Sequence, residues 1–236
     1  MGTARDRIAI GGSLKLPNSN APLDKTFIAD IRKAAAGRHI LLAASTHAGE
    51  ERIVIDAANQ LGDGWFTLLA PRHPERGGDI VAMAAAAGMN HLRRSSGAGP
   101  DAGHNIYIVD TLGEMASLFA VTDVVFLGGS LVPLGGHNPI EPAAAGLPVI
   151  SGPHVFRNQA EFDALAERDL LQIVVDAEGL AHAAVAQSGA DRQSDEDRQD
   201  RAAAKAARKF AAEAGKRPEL AARSILEVIA KIAKDR

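Results

Sequence analysis

The 236-residue chain contains no cysteine. Disulfide bonds and thiolate-bound metal ions are therefore excluded, and a reducing compartment is the simplest expectation. Aromatic residues are also scarce, at 4% of the chain, although hydrophobic residues as a whole make up 46%. That hydrophobic content is sufficient for a buried core, so the chain is predicted to be globular and not intrinsically disordered.

An excess of positive charge is missing as well. Lys and Arg number 26 against 29 for Asp and Glu, which gives a net charge of -3 and no electrostatic reason to expect nucleic acid as a partner. No apolar run is long enough to span a bilayer, and the opening MGTARDRIAIGG lacks the apolar centre of a signal peptide. We therefore expect a soluble chain in the cytosol.

Short apolar runs alternate with segments of helical periodicity, which predicts an α/β fold. Because the runs are apolar on both faces, we expect a Rossmann-like parallel sheet with helices on both faces. The predicted strands are HILLAAS (39–45), WFTLLAP (65–71), HLRRSS (91–96), NIYIVD (105–110), DVVFLGG (123–129), LPVISGP (147–153) and LQIVVD (171–176).

Helices are predicted over 49–62, 75–88 and 114–122, the first with Thr46 as a possible N-cap. From about residue 190 the sequence becomes charged and rich in alanine. This composition predicts an exposed helix that is broken at Gly215 and Pro218.

A last helix is predicted over 219–234, where apolar residues recur at helical spacing. One face of that helix should therefore pack on another element. With these C-terminal helices, residues 1–236 are expected to form one domain.

The candidate site lies in the loops that follow the strands, because ligands of open parallel sheets bind outside the carboxyl ends of the strands. Most of these loops combine Gly or Pro with His, Arg, Asn or Glu. The loops are STHAGEE (45–51), PRHPER (71–76), DTLGE (110–114), GGSLVPLGGHNPIEP (128–142) and GPHVFRN (152–158).

The longest loop suggests a place for an anion. Pro139 suits the first turn of a helix, whose N–H groups and partial positive charge would face an acidic group. Glu141 in that turn would accept hydrogen bonds from a diol such as ribose, or would only complement the helix dipole. Four glycines are expected to present N–H groups as an anion nest: Gly128, Gly129, Gly135 and Gly136.

Several charged residues in the other loops have more than one interpretation. Arg72 offers a forked donor for a phosphate, or forms a weak surface pair with Glu75. Glu50 and Glu51 fit solvated charges in a first helical turn, and this interpretation is favoured for Glu51.

Motifs for metal binding and for common catalytic sites are lacking. His47, His73, His137 and His154 occur in converging loops, but none has H-x-x-x-H or similar spacing, so neither a metal nor another cofactor is predicted. The sequence contains no G-x-S-x-G and no Walker-type loop. Serine hydrolase and ATPase functions therefore lack their central residues.

Five segments in this order resemble the C-terminal half of the Kdo transferases. These enzymes transfer 3-deoxy-D-manno-oct-2-ulosonic acid (Kdo) from CMP-Kdo to a lipid A precursor. The resemblance covers the whole chain, and GGHNPIEPAAAGLPV is its most specific part. The segments are GSLKL (12–16), AASTHAGEE (43–51), PRHPER (71–76), DTLGE (110–114) and GGSLVPLGGHNPIEPAAAGLPVISGPH (128–154).

The resemblance implies a two-domain GT-B glycosyltransferase of lipopolysaccharide biosynthesis at the cytoplasmic face of the bacterial inner membrane. In that family the N-terminal half binds the lipid acceptor, touches the membrane and carries the catalytic carboxylate, whereas the C-terminal half binds the CMP-sugar. By this comparison the chain is an isolated CMP-Kdo-binding domain without the acceptor half. Alone it is expected to be inactive.

The resemblance also implies substrate-binding residues. Arg72 would meet the donor's phosphate or base, Leu112 and Gly113 would lie at the cytosine edge, and Glu141 would bind the ribose. Five residues would surround the phosphate and the sugar acid: Ser130, Gly135, Gly136, His137 and Asn138. Three would lie at the opposite lip of the cleft: Ser45, Thr46 and Gly49.

The chain departs from the family pattern at Ser13, where the family usually has Asn. It departs again at Arg157 and Asn158, which replace a phenylalanine-rich segment. Two alternatives remain open: a donor domain of a UDP-sugar transferase or epimerase of the same fold, and a nucleotide-binding module without catalysis.

Overall fold

The computed structural model describes residues 22–188 and 202–216, together with residues 219, 222, 223 and 226. This part of the chain contains one sheet of seven strands. The strands are β1 (His39–Thr46), β2 (Trp65–Pro71), β3 (His91–Arg93), β4 (Ile106–Ile108), β5 (Val124–Leu127), β6 (Val149–Ser151) and β7 (Leu171–Ile173). Their order in the sheet is β3-β4-β2-β1-β5-β6-β7, and every pairing is parallel. The predicted parallel sheet is therefore confirmed.

Helices cover both faces of the sheet, as the sequence predicts. The helices are α1 (Lys25–Ala35), α2 (Glu50–Leu61), α3 (Gly77–Ala86), α4 (Met115–Val121), α5 (Ile140–Ala144), α6 (Gln159–Ala166), α7 (Ala177–Ser188) and α8 (Ala202–Gly215). One apolar cluster contains buried residues of α1, α4, α5, α6 and α8, and the other contains buried residues of α2, α3 and α7. No helix among the described residues has the length and apolarity required to cross a membrane.

The central strand β1 shows why its sequence is continuously apolar. Leu42 and Ala44 belong to one buried cluster, whereas Leu41 and Ala43 belong to the cluster on the opposite face. Because successive side chains of a strand point to opposite faces, a strand covered on both sides requires apolar residues at every position.

Several elements are shorter than predicted, and tertiary contacts explain the early end of β3. The strand expected over 91–96 ends at Arg93, because the N–H and hydroxyl of Ser95 both donate to the carboxylate of Asp110 and a 3-10 turn replaces the extended chain. Thr46 is not the N-cap of α2. It ends β1, and Gly49, with a φ of 95°, precedes the helix instead.

Helix α1 is absent from the sequence prediction, although its start carries a local signal. The side chain of Asp24 accepts a hydrogen bond from the N–H of Phe27 at 3.0 Å, as an N-cap does. Phe27, Ile31 and Ala35 then lie on one buried face. The capping residue and this spacing are both readable in the sequence.

The alanine-rich helix α8 is not an exposed helix, contrary to expectation. It packs against α5, and its buried residues include Ala207, Phe210 and Ala214. The guanidinium of Arg168 lies 5.6 Å from the centre of the Phe210 ring. The helix ends at Gly215, as predicted, whereas most of the helix predicted over 219–234 lies outside the described residues.

We expect Phe210→Ala to lower the free energy of unfolding by about 3–5 kcal/mol, because it leaves a cavity in the apolar cluster to which α8 and α5 both contribute. Urea denaturation followed by circular dichroism measures this loss. Lys209→Ala on the exposed side of the same helix is the control, with an expected change within about 0.5 kcal/mol. Equal effects of the two changes would show that α8 does not stabilise the domain.

Candidate functional site

A cleft of about 600 Å³ opens at the carboxyl ends of β1, β2 and β5. β1 is paired with β2 on one side and with β5 on the other, so the cleft lies where the chain switches from one half of the sheet to the other. Its walls combine apolar residues such as Leu118, Phe119 and Leu127 with polar and charged side chains. Such a lining suits a ligand that has a flat apolar surface and several polar groups.

The structure brings eight of the twelve predicted substrate-binding residues into this cleft. They are Ser45, Arg72, Leu112, Gly113, Gly136, His137, Asn138 and Glu141. Thr46, Gly49, Ser130 and Gly135 do not line it. Thr111, Glu114, Arg157 and Asn158 line it without having been predicted as binding residues.

Ser45 reaches the cleft through an irregularity in β1. Its φ of 55° lies in the left-handed region, and the pairing register with β2 shifts between Ala44 and Thr46. The shift leaves Ser45 half-buried in the cleft wall and Thr46 fully buried. A non-glycine residue in this region carries strain of about 1–3 kcal/mol, which is often found at ligand-binding sites.

Glu50 is not a solvated charge, because it is fully buried. Its carboxylate accepts hydrogen bonds from the N–H groups of Gly129 at 2.7 Å and of Ser130 and Leu131 at 2.9 Å. A fourth comes from the N–H of His47 at 2.9 Å. The first turn of α2 thus supplies the anion that the glycine-rich loop binds.

The expected anion nest for a ligand is therefore wrong for three of its four glycines. The N–H of Gly129 donates to Glu50, that of Gly128 to Ala44 O at 2.9 Å, and that of Gly136 to Gly129 O at 2.8 Å. Glycine is needed at 128 for another reason: a Cβ there would lie 2.5 Å from Ser45 O. The close approach is between two backbone segments and not between backbone and ligand.

Ser130 and Gly49 also have structural roles. The Ser130 hydroxyl is buried, donates to Leu127 O at 2.7 Å and accepts from the N–H of Gly152 at 2.8 Å. These bonds tie the end of β5 to the end of β6. Gly49 adopts a positive φ at the start of α2. Both residues hold the loops that carry the cleft wall, and neither lines the cleft.

Glu51 is likewise buried, which contradicts its interpretation as a solvated charge. Arg76 donates to its two carboxylate oxygens at 2.9 and 3.3 Å, and this forked pair satisfies the charge. The alternative pair of Arg72 with Glu75 does not form among the described residues. Glu75 lies 3.6 Å from His73 Nδ1 instead, and Arg72 remains an exposed cation in the cleft.

The helix after the glycine-rich loop is a weaker anion site than the sequence suggests. α5 has only five residues, and Pro139 is its N-cap residue. The N–H of Ile140 already donates to Asn138 Oδ1 at 3.1 Å, and Pro142 has no N–H. This helix start therefore has fewer N–H donors for an anion than the sequence predicts, and Glu141 lies in the cleft lining.

Hydrogen bonds at Asp110 and Glu114 hold the loop after β4 in place on both sides of Leu112. Burial alone would raise the pKa of Asp110, but hydrogen bonds from Arg93 and Ser95 outweigh it, so that the pKa is lowered and the carboxylate is held charged. Glu114 accepts from Thr111 Oγ1 and from Arg94 Nε. These contacts explain why residues 111–115 form a fixed wall of the cleft.

Leu112 at the tip of this loop is 74% exposed, next to Gly113 with a φ of 90°. An exposed large apolar side chain beside a polar cleft is a surface on which a flat ring can pack. Among the described residues, no group of three or more His, Asp or Glu side chains is arranged to bind a metal ion.

Comparisons with known proteins agree with this architecture. No protein-family model matches the chain. It is 43% identical over 140 residues to the 3-deoxy-D-manno-octulosonic acid transferase of Bordetella pertussis, which covers 56% of this chain and 33% of the relative. It is 32% identical over 188 residues to the Haemophilus influenzae enzyme of the same name. This match covers 78% of this chain and 44% of that relative. The chain thus spans less than half the length of these relatives.

Among solved structures, the C-terminal CMP-Kdo binding domain of WaaA from Acinetobacter baumannii superimposes with a TM-score of 0.65 and 26% sequence identity. This match covers 80% of the chain and 98% of that domain. The glycotransferase of kitacinnamycin, at 14% identity and a TM-score of 0.52, shares the fold over 95% of this chain and 50% of its own.

The sheet, its helices and the position of the cleft define the C-terminal domain of a GT-B glycosyltransferase. Within that class, the chain is a homologue of the 3-deoxy-D-manno-octulosonic acid transferases and has the fold of the WaaA domain.

We expect Glu50→Gln to lower the free energy of unfolding by about 3 kcal/mol, because an amide NH₂ would face N–H groups that require an acceptor. Amide exchange at Gly129–Leu131 should also accelerate. Urea denaturation and hydrogen exchange measure the two effects. Glu178→Gln, an exposed glutamate in the first turn of α7, is the matched control and should change stability by less than about 0.5 kcal/mol.

Proposed function

We propose that this chain is the donor-binding domain of a glycosyltransferase that transfers Kdo from CMP-Kdo to a lipid A precursor in lipopolysaccharide biosynthesis. The observation that carries the proposal is the cleft at the β2–β1–β5 edge, in a chain that matches nearly all of a domain described as CMP-Kdo binding. Eight residues implied by the family resemblance line this cleft.

The residues of the cleft suggest how the donor is oriented. Arg72 is an exposed cation that can donate a forked pair of hydrogen bonds to the phosphate. Leu112, next to Gly113, offers an apolar edge to the cytosine ring. Glu141 offers two carboxylate oxygens to the ribose hydroxyls, and Asn138 also lines the cleft. The nucleoside would therefore span the cleft from the loop after β4 to α5.

In this proposal the departing CMP phosphate is stabilised by the guanidinium of Arg72 and by the imidazole of His137, and no divalent metal is invoked. The attacking lipid hydroxyl needs a general base. Of the carboxylates in the cleft, Glu114 is engaged by Thr111 and Arg94, and Glu141 is assigned to the ribose. We place the base, the lipid acceptor and the membrane contact in a part of the transferase outside this chain, at the cytoplasmic face of the bacterial inner membrane.

CMP is expected to bind the chain more tightly than UMP or AMP, because the amino group of cytosine distinguishes it from uracil and the cleft is proposed to read that edge. Isothermal titration calorimetry with the three nucleotides measures the preference. Equal affinities would remove the claim for cytidine and favour a general nucleotide module. Absence of CMP binding at millimolar concentration would contradict the proposed function as a whole.

Glu141→Gln tests the ribose contact. The substitution keeps the size of the side chain but removes its charge and one acceptor, so CMP affinity should fall about ten- to hundredfold. Calorimetry and a melting curve on the same protein separate this role from a simple effect on the helix dipole. The dipole role predicts a stability loss of about 0.3–1 kcal/mol with CMP affinity unchanged. Glu167→Gln, exposed after α6, is the control.

A further inference from the structure

Two histidines beside the cleft share a hydrogen bond. Nε2 of His47, in the loop after β1, lies 2.9 Å from Nε2 of His137, in the loop after β5. The ring planes differ by only 7°, and the ring centres are 5.2 Å apart. The distance between the ring centres thus exceeds the distance between the nitrogens by 2.3 Å. This difference is about twice the distance from the centre of an imidazole to its nitrogen, so the two centres and the two nitrogens lie on one line. The rings therefore meet edge to edge in one plane, which is the geometry of a linear N–H···N bond and not of ring stacking.

This geometry limits how many protons the pair can hold. One nitrogen must donate and the other must accept, so one proton lies between the rings. Each ring has a second nitrogen, and the pair can therefore exist as a neutral species or, with one further proton, as a singly charged one. A second positive charge would place two N–H groups against each other and break the bond. The pair is built to gain a single proton.

Burial of His47, together with two neighbouring basic side chains, opposes that gain. Burial lowers the pKa of His47, and His73 and Arg72 lower it further, whereas Glu50 and Glu51 raise it. His73 belongs to the loop after β2, and its ring centre lies 5.5 Å from that of His47.

The two carboxylates near His47 are already engaged. Glu50 accepts four main-chain N–H groups, and Glu51 is paired with Arg76. On the side of the glycine-rich loop, Arg157 lies against Gly135, and the main chain of His154 lies against Gly136. A mobile anion in the cleft would supply the negative charge that favours protonation of the pair.

We propose that His47 and His137 form, with Arg72, an anion subsite of the cleft that takes up one proton as an acidic group of the ligand binds. The inference rests on the proposed function, because it assigns a role within the same donor site. His137 and Arg72 line the cleft, and His47 lies behind His137. The acidic group is either the nucleotide phosphate or the carboxylate of the sugar acid.

Calorimetry on the full chain tests the proposal, with CMP, cytidine and CMP-Kdo as ligands. Titrations near pH 7.5, in HEPES and in Tris, give the number of protons exchanged from the difference in the observed heats. At that pH a phosphate monoester, with a second pKa of about 6, is already dianionic, and a cationic site would make it release protons and not bind them. Net uptake therefore reports protonation of the protein.

We expect uptake of up to one proton per chain. Uptake with CMP but not with cytidine identifies the phosphate as the acidic group, whereas uptake only with CMP-Kdo identifies the carboxylate. His47→Gln and His137→Gln should abolish the uptake and weaken binding about tenfold near pH 6, with a smaller difference near pH 8. His182→Gln, exposed on α7, is the control and should retain the uptake.

The outcomes separate the two proposals. Binding of CMP and CMP-Kdo without proton uptake, or with uptake that persists in both cleft-histidine variants, overturns this inference and leaves the proposed function intact. Failure of both ligands to bind contradicts the proposed function and the inference with it. Melting curves establish that the variants are folded. If a variant does not fold, the measurement on the wild-type chain in the two buffers still shows whether a proton is taken up on binding.

Discussion

The buried carboxylate of Glu50 is the interaction on which the candidate site depends. Removing a charged group from water is costly unless hydrogen bonds replace its solvation, and here four main-chain N–H groups do so. These donors come from the ends of β1 and β5, the two neighbouring strands at which the chain changes direction across the sheet. One side chain therefore ties the loop after β1 to the loop after β5.

The glycines around Glu50 have a consistent explanation in this arrangement. A Cβ at Gly128 would collide with the backbone at Ser45 and Thr46, and one at Gly152 with the backbone of Ser130. The strand ends pack so closely that side chains are sterically excluded. A glycine-rich loop after a strand is thus explained here by contacts within the protein, and its rigidity leaves little conformational entropy to be lost when a ligand binds.

The polar groups in and around the cleft fall into two kinds. Residues such as Ser130, Glu51 and Asp110 are buried, bind protein partners and hold the loops in place. Arg72 and Glu141 are exposed in the cleft lining. The buried residues hold in place the loops that carry the exposed ones. A site binds its ligand with least reorganisation when the elements that carry its contact residues are already fixed.

Local patterns in the sequence were sufficient for the fold class, most strand positions and the edge of the sheet at which the cleft lies. Apolar runs such as WFTLLAP coincide with β2, because burial on both faces requires apolar residues at every position. The loops after strands converge because parallel strands present their carboxyl ends at one edge. Tertiary structure alone decided which residues of those loops face the cleft. Glu50 and the loop whose N–H groups donate to it are 79–81 residues apart, and Ser95 and Asp110 meet across neighbouring strands. Such partners depend on the order of the strands in the sheet, which no local periodicity encodes.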